Sequence, residues 1–225
     1  ELRARNATVI VNVCGSTIDE YVEVSRVLSD AEGVGAIELN ISCPNIKAGG
    51  MTFGCSATGT RDVVQAVRRV TTLPLIPKLT PNVTDVAGIA VAAEEAGADA
   101  VSLVNTFLAM AIDVETRRPK LSNGVGGLSG PAIRPIAVRM VHECRQAVQI
   151  PIVGMGGIMT ATDVLEFMIA GATAVQVGTA NFIDPTIWPK LLASLEEYLG
   201  RHEVARVRDV IGTLELTEHK GWSNS

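Results

Sequence analysis

The sequence has few aromatic residues, few charges and no long apolar run. Of its 225 residues 4% are aromatic and 19% charged, and the formal net charge is −5. Because lysine and arginine form no block, nucleic acid is not expected as a partner. No run of about 18 uncharged apolar residues occurs, which predicts that no segment crosses a membrane. The 47% of hydrophobic residues instead indicates a folded chain with a substantial core.

The cysteines and histidines lack the spacing of known metal or disulfide frameworks. No Cys-x-x-Cys pair occurs, and the three histidines are far apart. We therefore predict no metal site and no disulfide framework, and a reducing, cytoplasmic setting. The start, residues 1–6, is charged and lacks the apolar region of a signal peptide.

Short β-branched runs alternate along the chain with stretches of helical period. The predicted strands are residues 8–13, 36–41, 75–79, 100–105, 151–154 and 174–178. The predicted helices are residues 17–28, 59–70, 83–96, 132–147, 161–169 and 185–199, and the tail 204–211 fits a further helix. Gly97 and Gly171, and more loosely Gly33, each lie between a helix and the next strand. Glycine there suits the left-handed conformation that ends a helix.

Strict alternation of strand and helix predicts an α/β fold with a parallel sheet covered by helices. A doubly wound sheet would be expected to carry the motif Gly-x-Gly-x-x-Gly in its first strand-to-helix turn, and the sequence has no such motif there. The prediction is therefore a (β/α)8 TIM barrel. Since only six strands are found, we expect about six of the eight βα units here. Residues 1–225 would form one partial barrel domain, with the first two units upstream of Glu1.

A barrel carries its chemistry where its strands end, and the polar residues of this sequence lie at those positions. Strand ends and the loops after them supply amides, a thiol, a lysine and glycines: Asn12, Asn40, Cys43, Asn45, Lys78, Asn105, Thr106, Gly156, Gly157, Gly178 and Thr179. The glycines after the last two strands suit a phosphate, because they let backbone N–H groups approach an anion. The alternative is that they only form tight turns.

Two strand-end residues are candidates for covalent or acid–base chemistry. Lys78 lies in an apolar strand, where it would serve as a Schiff-base amine, supply a fixed positive charge, or reach the rim as an ordinary surface lysine. Cys43 is a candidate base, although a buried inert thiol is the commoner fate of a cysteine and no histidine is close in sequence.

The ordered motifs resemble those of the dihydroorotate dehydrogenases. They are Asn-Ile-Ser-Cys-Pro-Asn at 40–45, the glycines at 49–50, Phe-Gly at 53–54, Pro-Lys-Leu-Thr-Pro-Asn at 77–82, Val-Asn-Thr at 104–106, Gly-Gly-Leu-Ser-Gly at 126–130, Gly-Met-Gly-Gly at 154–157 and Val-Gly-Thr-Ala-Asn at 177–181. They run from about residue 8 to 199. The loop reads most like the bacterial NAD-linked class 1B catalytic subunit.

The resemblance implies a flavin enzyme that oxidises (S)-dihydroorotate to orotate in pyrimidine biosynthesis. It implies that Cys43 is the general base. The implied substrate-binding residues are Asn40, Asn45, Asn105 and Thr106. The implied FMN-binding residues are Asn12, Asn40, Lys78, Val104, Gly130, Gly156, Gly157, Gly178 and Thr179. Lys78 would stabilise negative charge on the reduced flavin.

The same resemblance implies the partners. Electrons would pass to NAD+ through a second subunit that carries FAD and a 2Fe-2S cluster, and two catalytic subunits would form a homodimer within a heterotetramer. The resemblance also implies contacts from the two absent units, so the 225-residue piece alone is expected to be inactive. Three alternatives stay open: a fumarate-dependent class 1A enzyme, a Schiff-base aldolase that uses Lys78, and a degenerate barrel kept for binding.

Overall fold

The computed structural model describes residues 5–42 and 53–216. Its strands are β1 (Val9–Val13), β2 (Val34–Asn40), β3 (Leu75–Lys78), β4 (Val101–Leu103), β5 (Phe107–Ala109), β6 (Ile112–Asp113), β7 (Arg118–Pro119), β8 (Gly126–Leu128), β9 (Ile152–Met155) and β10 (Ala174–Gln176). Its α-helices are α1 (Ile18–Ser29), α2 (Ala57–Arg68), α3 (Val86–Glu95), α4 (Arg134–Ala147), α5 (Ala161–Ala170), α6 (Thr179–Ile183) and α7 (Ile187–Arg201).

Six strands form one parallel sheet in the order β1-β2-β3-β4-β9-β10. Each long strand therefore pairs with the next one along the chain. Right-handed crossovers then place successive helices on the same side, as in a barrel, whereas a doubly wound sheet reverses its strand order. The helices pack accordingly: α1 contacts α2, α2 contacts α3, α3 contacts α4, and α4 contacts α5. The predicted barrel architecture, with six parallel strands, is confirmed.

The core lies between the sheet and this layer of helices. Val63, Val64 and Val67 of α2 are completely buried, as are Ile37 and Leu39 of β2. The spacing of the three valines puts them on one face of α2. Most of the sheet residues are apolar and covered, which explains why the strands read as nearly continuous hydrophobic runs.

Three glycines end the connections between helices and strands as predicted. Gly33, Gly97 and Gly171 have φ values of 94°, 96° and 120°, a region that side chains with a Cβ rarely adopt. Gly171 is also the C-cap of α5, where its N–H bonds the carbonyl of Met168. The chain therefore turns sharply into the next strand at each of these positions.

The tail and one loop differ from the prediction. Over the predicted tail helix the structure has only a 3₁₀ helix, Val207–Val210. The left-handed backbone of Glu203 (φ 54°) and that of Gly212 (φ 71°) bracket this segment and interrupt the helical conformation on both sides of it. The prediction of a helix there was wrong.

The long loop after β4 is also more ordered than the sequence suggested. It holds two antiparallel ribbons, one of β5 with β8 and one of β6 with β7. A short helix, α6, begins directly at Thr179, which the sequence treated only as a strand end. No helix in the described ranges is long and apolar enough to cross a membrane.

Candidate active site

A polar layer lies at the carboxyl ends of the parallel strands. Register pairs Asn12 of β1 with Glu38 of β2, and Lys78 of β3 with both Asn40 and Ser102. Because side chains alternate along a strand, Glu38 and Asn40 point to the same face of the sheet. The sheet therefore brings side chains from four neighbouring strands to one place.

Glu38 is the centre of this layer. It is 4% exposed, and its carboxylate accepts hydrogen bonds from Asn12 Nδ2 at 2.6 Å, Ser102 Oγ at 2.7 Å and Gln176 Nε2 at 2.9 Å. Lys78 Nζ lies 3.8 Å from the same carboxylate and its side chain is 18% exposed. The buried negative charge is thus both hydrogen-bonded and paired, as burial requires. Lys78 carries its positive charge toward the mouth of the sheet rather than into solvent.

A chain of amides and one hydroxyl continues from this centre. Asn40 Nδ2 donates to Asn12 Oδ1 at 3.3 Å, and Ser42 Oγ donates to Asn40 Oδ1 at 2.9 Å. Asn105 Nδ2 in turn donates to Ser42 Oγ at 2.6 Å and to Asn40 Oδ1 at 3.3 Å. Tyr21 fixes the end of β2 from behind, since its hydroxyl donates to the Asn40 carbonyl at 2.7 Å. These bonds orient the three amides along one edge of the sheet.

A cleft opens beside this layer and encloses about 660 Å³ of space, counting its open mouth. Its walls combine buried apolar side chains with backbone and polar groups. The lining residues are Lys78, Val104, Asn105, Thr106, Ser129, Gly130, Ile133, Met155, Gly156, Gly157, Ile158, Met159, Gln176, Val177, Gly178 and Thr179.

At the rim of the cleft, glycines present backbone atoms that no side chain of their own covers. Gly156 and Gly157 have φ values of 122° and 78°. A Cβ on Gly157 would come within 2.7 Å of the Gly130 carbonyl oxygen, so these two loops pack backbone to backbone. At Gly178 and Gly130, by contrast, an added Cβ would meet no atom within 4 Å. Open space over bare backbone is what a bound phosphate needs.

The donor set fits a flavin mononucleotide. Gly156, Gly157 and Gly178 would hold its phosphate through backbone N–H groups, with the Thr179 hydroxyl beside them. Lys78 supplies a cation at the floor, and buried Val104 and Met155 supply apolar contact for a ring. Thr179 is itself held in place, because its hydroxyl donates to Ser129 Oγ at 2.9 Å.

Most of the predicted site residues are brought together here. Those that line the cleft are Lys78, Val104, Asn105, Thr106, Gly130, Gly156, Gly157, Gly178 and Thr179. Asn12 and Asn40 adjoin it through Glu38 and Asn105. Cys43 and Asn45 lie outside the described residues. That these residues lie close together agrees with the prediction, whereas the role of each residue stays a prediction.

Sequence reasoning missed Glu38, Ser42, Ser102 and Gln176. A signal for Glu38 was present, because it is an acidic residue inside an apolar strand, two positions before Asn40. A charge inside an apolar strand needs a partner or a use, and this holds for Glu38 as it does for Lys78. Ser102 and Gln176 gave no such signal, since neutral polar residues often occur near strand ends.

Cys144 and Cys14 are not among the residues that line the cleft. Cys144 is completely buried on α4, and burial raises the pKa of its thiol to about 12, which keeps it inert. Cys14 is exposed, with its Sγ 3.7 Å from Asn12 Oδ1. Within residues 5–42 and 53–216, no cluster of histidine, cysteine and acidic residues is suited to a metal ion.

Comparison with known proteins gives concordant relatives. The family model described as dihydroorotate dehydrogenase matches residues 1–199. A "Dihydroorotate dehydrogenase B (NAD(+)), catalytic subunit" from Phocaeicola vulgatus is 54% identical over 216 residues, which are 96% of this chain and 71% of the relative. The protein of the same name from Porphyromonas gingivalis is 56% identical over 210 residues, covering 93% of this chain and 68% of the relative.

A solved structure shares the fold. The crystal structure of DHODH from Eimeria tenella in complex with ferulenol matches with a TM-score of 0.78 at 23% identity. The match covers 93% of this chain and 62% of that chain. This chain therefore spans less than two thirds of the solved relative and about 70% of the curated ones.

Proposed function

We propose, from the premise that this chain belongs to the dihydroorotate dehydrogenase family, that it oxidises (S)-dihydroorotate to orotate in pyrimidine biosynthesis. Family membership supports the reaction, and one structural observation supports the site. One cleft at the strand ends unites a half-buried lysine, the amides of Asn105 and Gln176, and two bare-glycine loops. This combination suits a phosphate-bearing redox cofactor above a polar substrate.

The cofactor of the proposed reaction is FMN, which accepts two electrons from the substrate when bound. The chain's part is to bind and orient it. Gly156, Gly157, Gly178 and Thr179 hold the phosphate, and Val104 and Gly130 contact the flavin through backbone. Asn12, Asn40 and Lys78 hold the polar edge of the ring, where the ammonium of Lys78 stabilises negative charge.

The substrate residues are proposed from the amide chain. Asn105 and Thr106 line the cleft, Asn40 accepts a hydrogen bond from Asn105, and Asn45 is proposed from the family resemblance alone. Amides donate and accept, so they suit the ring edge of a pyrimidine. Cys43 is the proposed base. It takes the proton from C5 of dihydroorotate, and the electron pair of that C–H bond forms the C5–C6 double bond. The C6 hydrogen leaves as hydride with its own electron pair, and these are the two electrons that bound FMN would accept.

The electron path is proposed from the relatives and from the sequence resemblance. Relatives named as NAD(+) catalytic subunits support transfer to NAD+ through a separate subunit. The resemblance implies that FAD and a 2Fe-2S cluster in that subunit would carry the electrons. Two catalytic subunits would pair within the complete enzyme, which would act in the cytoplasm. The ion pair of Lys78 with Glu38 suits a fixed charge, and no observation favours the aldolase alternative.

The first experiment examines the reaction itself. The holoenzyme is expected to be yellow, and its flavin absorbance should bleach when dihydroorotate is added without oxygen. A colourless protein that cannot be loaded with FMN would refute the proposed function.

The second experiment examines the base. Cys43→Ser should slow flavin reduction by about 10²–10⁴-fold, with little change in orotate binding, in stopped-flow and titration measurements. Cys144→Ala is the matched control, because that thiol is buried in the helix layer away from the cleft. Equal reduction rates in the Cys43 variant and the control would remove Cys43 from the mechanism.

A further inference from the structure

We propose that Glu38 is a positioning residue, whose buried carboxylate holds Lys78 at the floor of the cleft and Asn12 beside it, and balances the charge that the flavin meets there. The inference rests on the proposed function and assigns to this residue a part in it. Glu38 lies below the cleft lining and acts through the side chains that it holds.

Both oxygens of the Glu38 carboxylate have polar partners. One oxygen accepts from Ser102 and Gln176, and the other accepts from Asn12 and faces Lys78. These partners come from β4, β10, β1 and β3, so one carboxylate connects five strands of the sheet, counting its own β2. A displacement of Glu38 would therefore move the amide of Asn12 and the ammonium of Lys78 together.

Stability alone does not explain a carboxylate at this position. Burying an ion costs several kcal/mol, and well-packed apolar residues often replace buried ion pairs without loss. Apolar residues fit this face of the sheet, because Ala36, two positions before Glu38, and Ile76, which pairs with Glu38 on β3, are both buried. The presence of a carboxylate beside the cleft therefore indicates that this group has a functional role there.

That use is electrostatic. Lys78 and Glu38 carry opposite charges 3.8 Å apart, so the pair presents little net charge to the cleft. Without the carboxylate, the charge of Lys78 would be unbalanced in a site of low dielectric, where charges act strongly. Reduction adds negative charge to a flavin, so an unbalanced cation would favour the reduced form.

The test compares three Glu38 variants in the holoenzyme with the wild type. Glu38→Gln keeps the shape and removes the charge. Glu38→Met removes the charge and leaves no unsatisfied group of its own, so one neutral variant is available if the other folds poorly. Glu38→Asp keeps the charge. Asp99→Asn is the control, since Asp99 pairs with Arg68 and caps Leu75 N at the opposite end of β3.

The measurements are the midpoint potential of bound FMN, its dissociation constant and the unfolding temperature. For Glu38→Gln and Glu38→Met we expect the equilibrium constant for two-electron reduction of bound FMN to rise at least tenfold. This corresponds to a rise of about 30 mV in the midpoint potential. FMN affinity should also fall, because Asn12 and Lys78 lose their anchor. Glu38→Asp should keep a potential near that of the wild type, and Asp99→Asn should lower only the unfolding temperature.

The outcomes separate this inference from the proposed function. If the wild type binds FMN and is reduced by dihydroorotate, but both neutral variants keep its potential and FMN affinity, the role of Glu38 is overturned. A lower unfolding temperature without a change in potential would likewise reduce Glu38 to a structural residue. Failure of the wild type to bind FMN would instead contradict the proposed function.

Discussion

Replacing Gly178 by alanine should separate cofactor binding from folding. Gly178 follows β10 and lines the cleft, its φ of −102° is open to any residue, and an added Cβ would meet no protein atom within 4 Å. The folded chain therefore has no reason to resist the methyl group. The methyl group should instead hinder the proposed phosphate, because it would occupy the space through which the phosphate approaches the backbone.

The size of the effect follows from the contact that is lost. A hydrogen bond from a backbone N–H to a charged group contributes about 1.5–3 kcal/mol. At about 1.4 kcal/mol per tenfold, losing one such bond should weaken FMN binding roughly 10- to 150-fold. The unfolding free energy without flavin should change by less than about 0.5 kcal/mol.

The assay is a fluorescence titration of FMN together with thermal unfolding of the flavin-free protein. Gly200→Ala is the matched control. Gly200 also has open space around its Cβ position, but it lies in the last turn of α7. There alanine should leave FMN affinity unchanged and add up to about 1 kcal/mol of stability. Unchanged FMN affinity in a well-folded Gly178→Ala protein would refute the phosphate assignment.

Gly157→Ala is expected to behave differently from Gly178→Ala. Its φ of 78° is unfavourable for alanine, and its Cβ would lie 2.7 Å from the Gly130 carbonyl oxygen. The strained backbone alone costs about 1–3 kcal/mol. This variant should therefore lose stability and FMN affinity together, and the contrast with Gly178→Ala shows which glycine serves the fold.

Two further predictions concern stability. Because burial raises the pKa of Cys144 to about 12 from its ordinary value of 9.0, the thiol of the unfolded chain loses its proton first. The unfolding free energy should then fall by about 1.4 kcal/mol per pH unit above pH 9, and denaturant titrations of Cys144→Ala should lack this slope; a slope shared by both proteins would contradict the assignment. Asp163 caps α5 and pairs with Arg134 while 3% exposed, so Asp163→Ala should lower the unfolding free energy by about 3–5 kcal/mol. Glu23→Ala, which removes an exposed ion pair with Arg26, should change it by about 0–1 kcal/mol, and equal losses in thermal melts would refute the reasoning.

The fold was predictable because its signals are local. Each strand is a short β-branched run, and Gly97 and Gly171 mark the same helix-to-strand turn with positive φ. The tail was mispredicted since the left-handed backbone at Glu203, which no residue type signals, ends α7. The ribbons of β5 to β8 depend on pairing across a loop, where Phe107 and Leu128 meet. Such pairing is weakly encoded in short segments.

The number of strands in the parallel sheet was predictable from the sequence, and with it the six βα units. The sequence by itself determined which residues end each strand, and therefore which side chains can reach one mouth. Only the tertiary structure decided how those side chains pair. Glu38 and Gln176 are 138 residues apart, yet they share a hydrogen bond. The charge at the floor of the cleft depends on that distant contact and on the 3.8 Å to Lys78, which arise only when the strands lie side by side.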